Sequence, residues 1–349
     1  MAYSSIIKPS TLMNTVLYTG DGGTKNITGV GFQPDWIWIK SRSNTKNNAL
    51  FDAVRGVTKR LSSNSDTLEA TESAGVTGFV TDGFSLGGQG GYNNNGDTFV
   101  SWNWKAGTTT GIATNGSTTI TPSAYSFNQT SGFSILKFTG NQTSGAKLAH
   151  GLGVKPSMII CKSMAGTSSW GVYHKSLGAT YGMLLNTTGI KDDDASAWND
   201  VEPDTVNITL GSSVNTNKTG DMVAYCFAEK IGYSKVGIYK GNNNVNGTFV
   251  YTGFAPKFLM VKQSNADGNP WAIVDTTRNT FNHTNKQLFP SGTADETTNV
   301  DVIDLLSNGF KCRAVDNTWN GEAGGNKNYI YLAFGQSIVG SNDTPTTAR

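Results

Sequence analysis

Three observations in the sequence predict an all-β chain of three tandem antiparallel β-sandwich repeats. The first is composition. Glycine supplies 42 of 349 residues, about 12% against a usual ~7%. Charged residues make up 15% against a usual ~25%, and Asn, Thr and Ser fill the difference. Such a mixture suits many short strands joined by tight polar turns. Helices would draw instead on Ala, Leu, Glu and Lys. The second observation is self-similarity, and the third is the alternation of large and small side chains along the recurring strands.

The self-similarity rests on three anchors. A turn, a proline, a strand and a lysine recur as Gly31-Phe32-Gln33-Pro34 to Lys40, Gly153-Val154-Lys155-Pro156 to Lys162, and Gly253-Phe254-Ala255-Pro256 to Lys262. Glycine stands three residues before the proline and lysine six after it in every copy. Tyr18-Thr19-Gly20, Phe138-Thr139-Gly140 and Tyr239-Lys240-Gly241 end 14, 16 and 15 residues before their prolines. Val100–Trp104, Val223–Phe227 and Ile330–Phe334 close the copies and align without gaps. A repeat of this kind is the first thing to seek in a long chain.

In chain order, the first unit is expected over residues 1–107. It has about seven strands, near 15–20, 24–29, 35–41, 48–54, 59–63, 76–88 and 98–105, a count that points to a sandwich. Asp82-Gly83-Phe84 supplies a hairpin turn. A Thr/Ser/Gly-rich stretch at 108–131 reads as a linker. The second unit is expected over 132–231 and the third over 232–349, where Asn308-Gly309-Phe310 repeats the turn signal. A jelly-roll of the concanavalin A-like type is the preferred architecture. In the closing strand, alternate faces carry Val100, Trp102 and Trp104 against Ser101 and Asn103. The large face is expected to form the core of its own sandwich, burying Trp102 and Phe227. The small face (Ser101, Ala224, Cys226, Ala333) is expected to be solvated or packed by a neighbour. The strands after proline, Trp36–Ile39, Met158–Cys161 and Phe258–Val261, are apolar on both faces, as in strands covered on both sides.

Several function classes have no signal. The formal net charge is +2, without a Lys/Arg cluster of the sort that nucleic-acid binding needs. No apolar run approaches a membrane span. The first residues lack the apolar core of a signal peptide, so synthesis in a cytoplasm is expected. Cys161, Cys226 and Cys312 are odd in number and lie in apolar runs, which reads as small buried side chains rather than disulfides. His150, His174 and His283 lack zinc-ligand spacing. Asp192-Asp193-Asp194 and Asp295-Glu296 are expected in solvated loops, with a Ca²⁺ site at the Asp192–Asp194 run left open. Gly87-Gly88-Gln89-Gly90-Gly91 is followed by Tyr92 and Asn residues and reads as a mobile loop, not a phosphate cradle. Among the tryptophans, Trp170 and Trp271 fall at matching places after the repeat lysine and are expected in the core. Trp198 and Trp319, in Ala-Trp-Asn-Asp and Thr-Trp-Asn-Gly, are expected to be exposed. The Asn186-Thr187-Thr188 sequon has meaning only in a glycosylating pathway. No catalytic, metal or cofactor residue is assigned, and the ligand-binding residues are left unassigned.

Leu17-Tyr18-Thr19-Gly20, Gly29 to Lys40, Leu50 to Gly56, and Met222 to Glu229 running into Gly232-Tyr233-Ser234-Lys235 resemble a repeat found in marine and cyanobacterial bacteriophages. The resemblance covers nearly the whole chain. It implies lectin-like sandwich domains in a tail-fibre-like or virion structural protein. Two features depart from it. Asp52-Ala53-Val54-Arg55 and Asp275-Thr276-Thr277-Arg278 share an Asp-x-x-Arg pattern, which the second copy replaces with Tyr173-His174-Lys175. No heptad run offers a coiled-coil shaft, which favours a compact knob or capsid decoration over a long fibre. The expected function is thus that of a non-enzymatic virion surface protein acting in assembly and host attachment. A glycan-binding module of the tail is the alternative, and a capsular polysaccharide depolymerase is a third. Expected partners are further copies of itself, most readily as a trimer, other virion proteins and host surface glycans, with neither nucleic acid nor membrane insertion.

Overall fold

The computed structural model describes residues 4, 6–298, 300–321 and 327–337. The outer ends of the expected first and third units, 1–3 and 338–349, lie outside the described residues. The chain is all-β, with antiparallel pairing in every sheet between its named strands. The first segment holds β1 (Met13–Thr19), β2 (Lys25–Ile27), β3 (Trp36–Ser41), β4 (Ala49–Asp52), β5 (Lys59–Arg60), β6 (Ala70–Thr71), β7 (Val76–Val80), β8 (Gly83–Leu86) and β9 (Thr98–Trp104). The second holds β10 (Ala124–Asn128), β11 (Phe133–Gly140), β12 (Ala146–Ala149), β13 (Met158–Ser163), β14 (Gly171–His174), β15 (Tyr181–Leu184), β16 (Asp192–Asp193), β17 (Asn207–Leu210) and β18 (Gly220–Phe227). The third holds β19 (Ser234–Lys240), β20 (Phe249–Tyr251), β21 (Phe254–Gln263), β22 (Ala272–Asp275), β23 (Ile303–Leu306), β24 (Gly309–Cys312) and β25 (Asn328–Ser337). Among the described residues, three single α-helical turns, α1 (Gly90–Asn93), α2 (Ala195–Trp198) and α3 (Val214–Asn217), and a 3-10 turn at Pro9–Thr11 complete it.

One strand order recurs. It runs β1-β9-β3-β4 in the first segment, β11-β18-β13-β14 inside a longer sheet in the second, and β19-β25-β21-β22 in the third. In each, the post-proline strand and the closing strand are central neighbours, so both are covered at both edges. Smaller sheets, β2-β8-β7, β12-β17 and β20-β24-β23, accompany them.

Alternation explains where the side chains go. Along β3, Ile37 and Ile39 join a cluster with Ile27, Phe84 and Phe99 inside the first segment. Trp36 and Trp38, on the opposite face, enter a different cluster. In the second segment Ile159, Cys161, Ala224 and Cys226 fill the local cluster. In the third, Leu259, Val261, Tyr331 and Ala333 do the same. The large faces, Val100/Trp102/Trp104, Val223/Tyr225/Phe227 and Ile330/Leu332/Phe334, all meet in one shared cluster. This corrects the expected assignment. The bulky face of the closing strand packs against the other two segments, and the small face lines its own segment's interior. The reason is spatial: three sheets converging on one centre leave wide gaps that only large rings fill. Trp36 lies 4.5 Å from Trp104 and 4.6 Å from Tyr225, and Phe227 lies 5.9 Å from Phe334, between ring centres.

Two other expectations change. Within the expected linker 108–131, residues 124–128 form β10, hydrogen-bonded along β11 from Ala124↔Lys137 to Asn128↔Phe133. Ile120 is buried against Leu148. The stretch covers an open sheet edge, a common protection of exposed strands. The Gly87–Gly91 run is closely packed at its start and helical at its end. A Cβ on Gly87 would lie 2.7 Å from the Ala74 carbonyl oxygen, and Gly90 opens α1.

The Tyr-Thr-Gly anchor has a physical cause that the sequence conceals. Asn93, Asn217 and Asn320 are fully buried. Each side-chain amide donates to carbonyls of two loops: Asn93 to Gly23 and Gly87 (2.8 and 2.9 Å), Asn217 to Thr143 and Gly211 (3.2 and 2.8 Å), Asn320 to Asn244 and Ala314 (2.9 and 3.0 Å). Each side-chain oxygen accepts the backbone N–H following the anchor glycine, from Asp21, Asn141 or Asn242. A Cβ on Gly20 or Gly140 would stand 2.2 Å from a carbonyl oxygen of the facing turn, Asn94 or Lys218. The asparagines lie at uneven distances before the closing strand, which hides them from a fixed-spacing search.

Candidate functional site

The repeat lysines and the Asp-x-x-Arg pairs singled out in the sequence converge on the seams between segments, so the seams are built first. The repeat lysines Lys40, Lys162 and Lys262 are fully buried. Each is fixed by the proline-to-lysine strand and donates out of its own segment: Lys40 Nζ to Thr293 O, Lys162 Nζ to Asp66 O, and Lys262 Nζ to Thr188 O, all at 3.1 Å. The first segment thus bonds the third, the second bonds the first, and the third bonds the second. Burial brings all three ammonium groups down to about 8. Buried cations need such acceptors, because an unpaired one is costly.

A second ring of bonds follows the same direction. Trp170 Nε1 donates to Ser62 O (2.9 Å) and Trp271 Nε1 to Leu184 O (2.9 Å). In the first segment the matching residue is Asn48, eight after its lysine as Trp170 is, and its amide donates to Gly292 O (3.0 Å). Both tryptophans lie in the shared core.

The Asp-x-x-Arg pairs form the third ring. Asp52 and Arg55 are sealed, with 0% and 1% side-chain exposure. Asp52 accepts Arg55 Nε (2.5 Å) and the Tyr225 hydroxyl (2.7 Å) of the second segment. Asp275 accepts Arg278 Nε (2.6 Å) and the Trp102 indole (3.0 Å) of the first. Register places His174 opposite Met158 as Asp52 stands opposite Trp36 and Asp275 opposite Phe258. The third closing strand has Leu332 where the others have Trp102 and Tyr225, and leucine offers no donor. A carboxylate at 174 would lack that partner. His174 instead donates from Nε2 to Tyr331 O (3.3 Å) and accepts the Ser176 N–H at Nδ1 (3.2 Å). The departure in the second copy is thus matched to the neighbour it faces.

His150 uses the same arrangement, with Nε2 on Asp204 O and Nδ1 accepting Leu152 N–H, both at 3.2 Å. Burial holds both imidazoles at about 4, and a second ring proton would point at a backbone N–H. Since the folded value lies below the unfolded ~6.5, the unfolded chain binds more protons as pH falls from 6.5 to 4, and stability is lost across that window. Unfolding free energies from urea titrations at pH 7 and pH 4 should differ by about 3 kcal/mol for each histidine. A flat profile would show that water reaches both rings.

The remaining candidates take structural places. Glu296, expected in a solvated loop, instead bonds Arg42 at 3.0 and 2.8 Å and Arg278 at 3.2 Å, with its side chain 7% exposed. Asp295 is exposed. Asp192 and Asp193 are exposed in β16, and Asp194 caps α2 by accepting Ser196 N–H at 2.9 Å. Among the described residues no group of three or more His, Cys, Asp or Glu side chains is placed to hold a metal ion. Trp198 and Trp319, expected to be exposed, are 1% and 0% exposed. Trp198 stacks edge-on to Tyr173 at 5.8 Å, and Trp319 donates to Gln287 Oε1. The three cysteines are free and buried, and burial raises their thiols, Cys226 and Cys312 to about 12. His283 bonds Asp304, which also accepts Arg313 Nε at 2.5 Å. Among the described residues no helix is long and apolar enough to cross a membrane.

Where the first and third segments meet, a cavity of about 400 Å³ opens beside β1 and the turn between Asp275 and Arg278. Tyr233, Lys8 and Lys257 line it. No signal in the sequence marked it, because its walls come from residues more than two hundred positions apart.

No curated protein and no solved structure matches the chain. A sequence family does match, over residues 8–337, and its span takes in all three recurring segments. The chain belongs to that family, described as a domain of unknown function (DUF7483).

Proposed function

We propose that this chain is a bacteriophage virion structural protein, carried on the particle surface as a short tail fibre, knob or capsid decoration, and acting in assembly and host attachment. We read its fold as three lectin-like sandwich repeats closed on a shared core. The observation that supports the role most is the closed ring of seam bonds. Lys40, Lys162 and Lys262 lock every segment to the other two, and the ion pairs around Asp52 and Asp275 are sealed within the same seams. A body whose titratable groups are used internally is suited to bearing load while its loops make contacts. The resemblance of Gly29 to Lys40 and of Met222 to Glu229 to phage repeats is what supports a location on the virion.

Self-association into a trimer now rests on analogy alone. Ser101, Ala224, Cys226 and Ala333, the small residues that invited a neighbour, are completely buried within the chain. The glycan-binding reading is favoured by the cavity beside Tyr233. A depolymerase has less support, since Glu296 is held in ion pairs and Asp194 caps a helical turn. Antibody-gold labelling of intact particles, with peptide mass spectrometry of the purified particles, tests the main proposal. The expected result is label on the particle exterior. Recovery of the chain only in the particle-free lysate would overturn it.

A further inference from the structure

From the open edge of the third segment, formed by β19 and β20, we infer a docking site for an acidic, extended segment of another protein, which adds itself there as a strand. The inference deepens the assembly reading and rests on it for a partner on the particle.

The second segment shows what covers such an edge. Residues 105–132 join β9 to β11 and run over both of that segment's sheets. Ser123 N–H donates to Lys137 O on β11 (2.8 Å), and the Thr119 and Ile120 N–H groups donate to Lys147 O on β12 (3.0 and 2.9 Å). Ile120 and Phe127 are buried there. Only residues 228–233 join β18 to β19, too few to follow the same course. β19 and β20 each end their sheet. Backbone groups alternate sides along an antiparallel strand. Ser234 exchanges bonds with Lys230, Val236 N–H meets Glu229 Oε1, and Lys240 O accepts the Thr248 hydroxyl, so these residues face away from β25. Ile238, between them in the same alternation, turns its N–H and C=O outward, and neither meets a partner among the described residues. Ile238 and Lys137 both stand three residues before their anchor glycine. The place that Ser123 fills in the second segment is therefore the place left open in the third.

The side chains along this edge define the partner. By register, Val250 of β20 stands opposite Phe310 as Ile27 stands opposite Phe84 and Leu148 opposite Ile208. Phe249 and Tyr251 flank Val250 and are 47% and 57% exposed, where the first segment has Asn26 and Thr28 and the second has Lys147 and Ala149. Ile238 on β19 is 44% exposed. Apolar side chains at an unpaired edge mark a place where another strand pairs. The charge is one-sided. β19, β20 and β24 carry Lys235, Lys240 and Lys311 and no acidic residue. Lys235 Nζ donates to Tyr251 O at 3.2 Å, from one edge strand to the other. Glu229, which meets Val236, is itself paired with Lys175. Lysines along an edge repel a second copy of the same edge and favour a strand of opposite charge. Main-chain pairing then gives affinity and the side chains give selection, as in other cases of strand addition.

The experiment is fluorescence anisotropy of the full chain with a labelled peptide that alternates glutamate and valine. Two controls run beside it: the same peptide with lysine for glutamate, and the acidic peptide methylated at every backbone nitrogen. The acidic peptide should bind about tenfold more tightly than the lysine peptide, and methylation should abolish binding. Ile238→Pro removes the outward N–H and should weaken binding by about tenfold, with little change in thermal midpoint, since an edge strand tolerates proline where its N–H faces solvent. If that variant melts early, Phe249→Ser decides, because an exposed ring can be removed without opening a core, and it too should weaken binding. Absence of binding by the folded chain, equal binding of the two charge types, full affinity of the methylated peptide, or full affinity in both folded variants would each overturn the site. A dimer of the chain that Ile238→Pro dissolves would also overturn it, by showing that a second copy covers this edge. Labelling of particles judges the virion role separately. A chain that binds the peptide but is absent from particles keeps the edge and loses that role, and a chain present on particles that ignores the peptide does the reverse.

Discussion

Trp102→Ala and Phe227→Ala should each destabilise the chain by about 3–5 kcal/mol, the usual range for deleting a core aromatic. The loss should appear across all three segments rather than in one. Trp102 and Phe227 are 0% and 2% exposed. Trp102 meets Trp38 at 6.1 Å within its own sheet and Phe258 of the third segment at 6.0 Å. Phe227 meets Phe133 at 5.0 Å in its own sheet, and both Trp36 and Phe334 of the other segments at 5.9 Å. A cavity opened at either place removes contacts from at least two segments. Scanning calorimetry should therefore show a single transition that moves to lower temperature as a whole, with agreement between the calorimetric and van't Hoff enthalpies. Hydrogen exchange resolved by segment gives the decisive reading. If Trp102→Ala released protection only in the first segment and left the second and third as they were, the shared core would not couple them.

The cause of this coupling marks how much of the molecule was legible in the sequence. The repeat lysine, the glycine–proline turn and the closing strand were all visible, because each depends on local chemistry at near-constant spacing. The two-sided burial of Trp36–Ile39 was visible too, since a strand apolar on both faces must be covered twice. What lay on each side was not visible. Alternation shows that Trp102 and Trp104 share a face, but it does not say whether that face meets a sheet of the same segment or of another. Alternation alone favours the nearer partner, and the three-way cluster around Trp36, Tyr225 and Phe334 corrects that expectation. Trp198 and Trp319 were misread for a related reason. Their polar neighbours suggested loops, yet α2 and the turn before Asn320 fold those loops over the sheet. The cavity beside Tyr233 was out of reach, because its tyrosine and its lysines have no meaning until β1 and β25 are brought together.

Removing Asp275 should be the most damaging single change at a seam. Its two oxygens accept four donors: Thr277 N–H and Arg278 N–H on one, Arg278 Nε and the Trp102 indole on the other, between 2.6 and 3.0 Å. Both ends of the ion pair are 0% exposed. Asp275→Ala would leave a buried guanidinium with only Glu296 at 3.2 Å and the Ile273 carbonyl at 2.9 Å. Stranding a buried charge in this way costs about 3–5 kcal/mol. Asp275→Asn keeps the shape but turns an N–H toward donors and loses the charge, so it should still cost about 1–3 kcal/mol. The pairing across the seam supplies a sharper control. In the double change Asp275→Ala with Trp102→Phe, the indole no longer lacks an acceptor, so the combined loss should fall short of the sum of the single losses. The matching change His174→Asp should destabilise by about 1–3 kcal/mol, because Leu332 offers no donor and Leu177 stands where the other copies place arginine. Urea titration of the four variants and the double mutant tests the scheme. Strict additivity of Asp275→Ala and Trp102→Phe would show that the indole does not depend on that carboxylate. A neutral His174→Asp would show that the residue at 174 is not chosen by its neighbour across the seam.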